Sequence, residues 1–179
     1  MIVSDLLNKA YMQLNDTGKL TYTPYVLLEY YNEGHQLLHS LLAKYLPELI
    51  EQEIEEIVEA SYELPEECLY VVSVGANGED VPYKRKGNRI LFDDVVEQPI
   101  VVTFIPTAGY KALYDETEYT SEFEAMMVTY VVSRAMNLDM SFVADWERRI
   151  ADLASQSSNN VVFAKGYWSH DGRRTDYDD

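Results

Sequence analysis

The sequence predicts an α+β fold: a helical body with an inserted small antiparallel β subdomain, followed by an extended C-terminal tail. Three observations predict it. Apolar residues recur at helical spacing over residues 1–52, alternate over about 57–105, and return to helical spacing over 118–155. The order helices, strands, helices differs from the strict alternation of parallel βαβ folds. Of the 179 residues, 47% are hydrophobic, enough for a core in one domain over 1–155, with a linker and tail over 156–179.

The first helix is expected over 4–15. Ser4 is the candidate cap, and Leu6, Leu7, Ala10, Tyr11 and Leu14 recur at helical spacing. Asn15-Asp16-Thr17-Gly18 ends it with turn-forming residues. A second helix starts with Thr23 as N-cap and Pro24 at the first helical position, where a missing N–H costs nothing. Leu27, Tyr31, Gly34, His35, Leu38, Leu42 and Tyr45 form one stripe, which Leu28, Leu37 and Leu41 widen. Pro47 marks the exit.

The period then changes. Val58, Ala60, Tyr62 and Leu64 alternate towards Pro65, after a start at Ile54 that also suits a helix. CLYVVSV, VPYKRKG, RILFD and PIVVTFI follow as short β-branched and aromatic runs, with Asn77-Gly78 as a hairpin turn. A meander of about four or five strands is the expected result. The last helical region opens on Ser121-Glu122-Phe123-Glu124, which reads as a capping box. Phe123, Met126, Met127, Tyr130, Val131, Ala135 and Leu138 continue it. Asn137-Leu138-Asp139 is expected to break the helix before a second stripe of Phe142, Trp146, Arg149, Ile150 and Leu153. SQSSNN reads as a linker by composition, and beyond it lie Val161, Val162, Phe163, Tyr167 and Trp168.

Charge and motif spacing exclude several functions. The net charge is −17, from 31 acidic against 14 basic residues, which disfavours holding nucleic acid through neutralised phosphates. It suits a wall that DNA slides past, or a DNA mimic. Cys68 is the only cysteine, so there is no disulfide framework and no cysteine-based zinc site, a usage compatible with a reducing cytoplasm. The N-terminal stretch is too short and polar for a signal peptide or membrane span. His35 and His39 sit one helical turn apart, but Gln36 replaces the metalloprotease glutamate and the third histidine, His170, is far off in the tail. His35 is expected to pack in the stripe, with His39 at its edge. Gly18-Lys19-Leu20-Thr21 lacks the earlier glycine of a phosphate loop, and GANGED lacks half of a dinucleotide fingerprint. Cys68 has no recognisable base beside it. Glu51, Glu53, Glu55 and Glu56 read as a solvated charge run. No catalytic constellation, metal site or cofactor is expected.

Two features stand out. There are 15 tyrosines, a residue enriched where proteins meet but equally at home half-buried in one chain. The aromatic tail follows a linker that separates it from the core, so an interaction role is favoured over plain disorder.

The segment Tyr22 to Gly34, YTPYVLLEYYNEG, resembles the part of tailed-bacteriophage head-to-tail adaptor (connector) proteins where an aromatic-Thr pair begins a helix. That helix continues with Leu-Leu, an aromatic and Asn-Glu-Gly. YELPEECLYVVSV resembles the family's strand ending in Leu-Pro and the strand after it. PIVVTFIP resembles its last strand before the C-terminal helices, and VTYVVSRAMNLDMSF its helix with a Tyr, an Arg-Ala pair and a following Asp. The matches keep the family's order over about residues 5–155. Tyr22-Thr23 stands where the family often has Trp-Thr, and nothing after Asn160 matches.

The resemblance implies a structural virion protein, without catalytic activity or cofactor. It implies a homo-oligomeric ring, commonly twelve-fold, that binds the portal protein and joins tail or nozzle proteins. DNA would pass through its channel without sequence-specific contact, and no membrane is involved. The expected location is the head-tail junction of the virion, after synthesis in the host cytoplasm. Interface candidates are Tyr22, Tyr31 and Gly34 on the second helix, and Val161, Val162, Phe163, Tyr167 and Trp168 in the tail, with residues 159–179 expected to order only on a neighbour. The competing expectation is an acidic DNA mimic that inhibits a DNA-binding enzyme.

Overall fold

The computed structural model describes residues 1–57, 60–93, 99–117 and 119–166, with backbone only from residue 157 on. It is an α+β fold that divides into two units. One comprises residues 1–31 and 116–179, the other residues 32–115.

In the helical unit, α1 spans Val3–Gln13. Its N-cap is Ile2, with no side-chain cap bond, so the cap expected at Ser4 does not form; Ser4 lies inside the first turn. Val3, Leu6, Leu7, Ala10 and Tyr11 are buried, and the helix packs against α3 (Ser121–Ala135). A bridge between Ile2 and Glu116 and a bond from the Thr117 amide to the Met1 carbonyl (2.8 Å) tie down the N-terminus.

Both α1 and α3 end in the same way. Asn15 adopts φ 54° and Asn137 φ 53°, the left-handed conformation that Asn tolerates better than most residues. The amides of Asp16 and Asn15 then bond to the carbonyls of Tyr11 and Met12, and those of Leu138 and Asn137 to Ser133 and Arg134. This is the Schellman arrangement, which satisfies carbonyls that a helix end would otherwise leave bare. The expected break at Asn137 is therefore present.

The capping box expected at Ser121 is absent. Thr120 is the N-cap of α3, without a side-chain cap bond. Glu124, the residue meant to reach back to the cap, is buried and accepts from the Thr117 hydroxyl at 2.7 Å. A carboxylate buried in this way needs a donor more than the helix end needs a cap.

α4 spans Phe142–Gly166. Trp146 packs within 5.7 Å of both Tyr130 and Phe142, centroid to centroid, joining α4 to α3. The helix runs through Ser155–Asn160, where composition predicts a linker. Serine costs a helix only a few tenths of a kcal/mol, and the Ser155 hydroxyl bonds back to the Ala151 carbonyl at 3.0 Å, as serines inside helices do. The residues beyond Gly166 lie outside the described residues. Among the described residues no helix is long and apolar enough to cross a membrane.

α2 spans Pro24–Tyr45, starting as expected with Pro24 first and the Thr23 hydroxyl 3.4 Å from the Val26 amide. Its residues from Asn32 on belong to the β unit. A short 3-10 turn, Pro47–Leu49, follows. Seven short strands are described rather than four or five: β1 Gln52–Ile57, β2 Ser61–Glu63, β3 Cys68–Ala76, β4 Glu79–Asp80, β5 Tyr83–Lys86, β6 Arg89–Phe92 and β7 Pro99–Pro106. The β region thus begins at Gln52, not near 57. Periodicity misplaces the start because β1 exposes nearly every side chain and so carries little alternation.

The strands form two antiparallel sheets, in the orders β1-β7-β3-β4 and β2-β6-β5. β7 is flanked on both sides and buries most of its residues, as its unbroken apolar run requires. Asn77 (φ 52°) and Gly78 (φ 80°) make the β3–β4 turn, both with the positive φ of a type I′ hairpin. Leu64, Cys68, Val74, Ile90, Phe92, Ile100, Val102 and Phe104, drawn from both sheets, share one core. The sheets therefore form a small sandwich, each with an inner face on this core, and the opposite face of β7 is buried as well, at Thr103 and Ile105.

Candidate functional site

The connection from α1 to α2 is built around one carboxylate. Asp16 is 8% exposed and accepts from the amides of Leu20 (3.0 Å), Thr21 (3.1 Å) and Tyr22 (3.0 Å). These donors, led by Tyr22, hold its carboxyl below the usual range although burial pushes it up. Lys19 sits over the Tyr11 ring, 5.2 Å from its centroid. This framework holds Leu20 91% exposed, and Tyr25, in the first turn of α2, is 73% exposed. A contact with another chain needs exposed side chains such as these, which a buried stripe does not offer. Neither residue is among the interface candidates read from sequence. The available signal is the absence of a helical-phase partner for Leu20.

The candidates themselves are placed differently. The Tyr22 hydroxyl donates to the Ala135 carbonyl at 2.8 Å, and its own carbonyl accepts from the Tyr11 hydroxyl at 3.0 Å. Its polar groups thus work within the chain, and the ring is half-buried. Tyr31 is fully buried and Gly34 is buried, so neither has surface to offer a second subunit. Both are packing positions, because the stripe on α2 is wide enough to bury most of the helix. Val161, Val162 and Phe163 fall in the last turns of α4, where only backbone is described. Tyr167 and Trp168 lie outside the described residues.

His35 and His39 are both buried, with ring centroids 6.2 Å apart. His39 is not at the stripe's edge as expected. Its Nε2 lies 2.8 Å from the Pro106 carbonyl oxygen, so Nε2 carries the proton and donates at the end of β7. Asn32, also buried, does similar work in the loop after β7. Its amide group donates to the Lys111 carbonyl (3.0 Å), and its oxygen accepts from the Lys111 amide (2.7 Å). The Tyr70 hydroxyl donates to the Ala43 carbonyl at 2.7 Å. These four bonds fasten α2 from Asn32 onward to β3, β7 and the loop after β7. Among the described residues no group of three or more His, Cys, Asp and Glu could hold a metal ion. Burial pushes the Cys68 thiol up, and the nearby Arg85 opposes this only in part, so it is a poor nucleophile at neutral pH.

The outer faces of the sandwich are charged. β1 pairs with β7 so that Ile54 faces Val102 in the core, which puts Glu53, Glu55 and Ile57 on the outer face. In the other sheet Arg85 pairs with Ile90 on the inner side, which puts Lys84, Lys86, Arg89 and Leu91 outside. In the helical unit, α3 and α4 border an open groove of about 480 Å³ lined by Met126, Thr129, Phe142 and Trp146. Arg149 bonds across it to Glu122 at 2.8 Å.

The arrangement can make protein contacts through an exposed apolar loop and two charged sheet faces; its buried polar groups bond to backbone. No protein-family model matches the chain, and no curated protein matches it.

Proposed function

We propose that the chain is a structural virion protein of a tailed phage, forming a ring between portal and tail at the head-tail junction and lining the DNA channel. The observation that carries the reading is the position of the resembling segments. Tyr22–Gly34 opens α2, Leu64-Pro65 follows β2, Pro99–Pro106 is the last strand before the C-terminal helices, and the Arg134-Ala135 pair ends α3. Segments that each say little thus fall in order on single elements or element ends of one α+β chain. The charge of −17 supports it further, since an acidic wall repels the DNA backbone and lets it slide.

The test is mass measurement of the purified chain mixed with the portal protein from the same phage genome. A complex of portal ring plus one chain per portal subunit is expected. A chain that ignores the portal but binds a basic nuclease, with affinity fading as salt rises, would make it a DNA mimic instead.

A further inference from the structure

The exposed strand rows on the two sheets differ in charge. Four of the chain's 14 basic residues fall between positions 84 and 89, in a protein with a net charge of −17. Three of them, Lys84, Lys86 and Arg89, share the outer face of the β5–β6 pair with Leu91, and Glu63 of β2, paired with Arg89, lies on that face beside them. On the other sheet Glu53, Glu55 and Ile57 are exposed in one row. Alternate residues of a strand stand about 6.6 Å apart, so Glu53–Glu55 and Lys84–Lys86 have matching spacing. Each row also has an apolar member at its end, Ile57 on one and Leu91 on the other. Both β1 and β5 are edge strands of their sheets, so among the described residues no further strand covers them.

We infer that the β5–β6 face is a docking surface for the β1 face of a second copy of this chain, joined head to tail. The inference rests on the connector reading and names its subunit contact. Two different patches that complement each other make a heterologous contact, which repeats from copy to copy and closes into a ring if the rotation allows. A face pairing with itself would set like charges opposite each other. Within the chain Lys84 bonds to Asp93 at 2.7 Å, and Arg89 lies 3.7 Å from Glu63. Both pairs are mostly exposed, and exposed pairs contribute little, so they exchange for partners on a neighbour at small cost. Lys86 makes no ion pair among the described residues. A nucleic-acid phosphate row would meet the same cations, and the duplex-DNA arm below decides between the two.

The test is a charge swap in the full chain, read by sedimentation and native mass spectrometry. The wild-type chain is expected to self-associate at low ionic strength and to dissociate as salt screens the contact. Lys84→Glu with Lys86→Glu should weaken association about 10-fold or more, as should Glu53→Lys with Glu55→Lys, because each sets like charges face to face. An equimolar mixture of the two variants should associate again, since every contact in an alternating assembly then pairs opposite charges. Circular dichroism checks that each variant is folded. The inference is overturned if either variant assembles like wild type, or if the mixture of folded variants stays dissociated. A wild-type ring that survives both reversals removes this contact and leaves the connector reading standing. A wild-type chain monomeric at every salt overturns this contact alone, because the portal experiment decides the connector reading separately. A final arm uses duplex DNA. If wild type binds it and Lys84→Glu with Lys86→Glu abolishes binding without changing association, the face is a phosphate surface and the inference is wrong.

Discussion

Replacing Asn32 by Ala should destabilise the chain by about 2 kcal/mol. The side chain is 3% exposed and bonds both to the Lys111 amide, at 2.7 Å, and to the Lys111 carbonyl, at 3.0 Å. A typical intramolecular hydrogen bond contributes about 1 kcal/mol net, so two account for about 2 kcal/mol. Leaving buried partners bare would raise that figure, but Lys111 is only half-buried and water can re-bond part of its backbone. For a chain of this length the loss corresponds to a fall in Tm of about 4–8 °C. Urea denaturation with fluorescence and circular dichroism read together gives the free energy and tests whether the two units unfold as one. Asn32→Asp is the sharper probe. It keeps an acceptor for the Lys111 amide but sets a second carboxylate oxygen against the Lys111 carbonyl. Burial and that carbonyl raise its folded pKa above the unfolded value of about 3.9. The variant's stability is then greatest below the unfolded pKa and is lost as pH rises through the folded one. It should resemble wild type near pH 3–4 and fall well below it at pH 7. An Asn32→Ala chain within about 0.5 kcal/mol of wild type, the range of neutral surface changes, would refute the reasoning.

Three further outcomes are expected. Asp16 has a lowered folded pKa, so its contribution is present above its unfolded value and lost as pH falls through the folded one; Asp16→Asn should remove that part of the acid dependence and speed exchange of the Leu20–Tyr22 amides, and unchanged exchange would sink the clamp. Cys68 should react with a thiol reagent far more slowly in the native chain than in urea, because it is buried and its thiol is pushed up; equal rates would refute this. Phe104→Ala removes a fully buried ring from the sandwich core and should cost about 3–5 kcal/mol in urea denaturation, while a loss under about 1 kcal/mol would mean the core is not closed there.

The sequence by itself determined what depends on neighbours along the chain. The class α+β follows from the change of apolar period, and the start of α2 from Thr23-Pro24. The type I′ turn at Asn77-Gly78 and the helix end at Asn137 follow from residues that accept positive φ. Each of these rests on a local steric or hydrogen-bonding preference, which a few residues carry whole. Where a distant partner competes, local reading fails. Glu124 abandons a capping box for Thr117, and His39 leaves the edge of its stripe to meet the Pro106 carbonyl. Ser155–Asn160 is helical despite its composition, because intrinsic preference is too small an energy to stop a helix already under way. The candidate surfaces were least legible. Tyr31 and Leu20 look equally apolar in sequence, yet one is fully buried and the other 91% exposed. Only strand register shows that Glu53 and Glu55 share one face of their sheet and that Lys84 and Lys86 share one face of the other. Burial and facing belong to contacts between segments far apart in the chain, so they are set when the sheets close on their core.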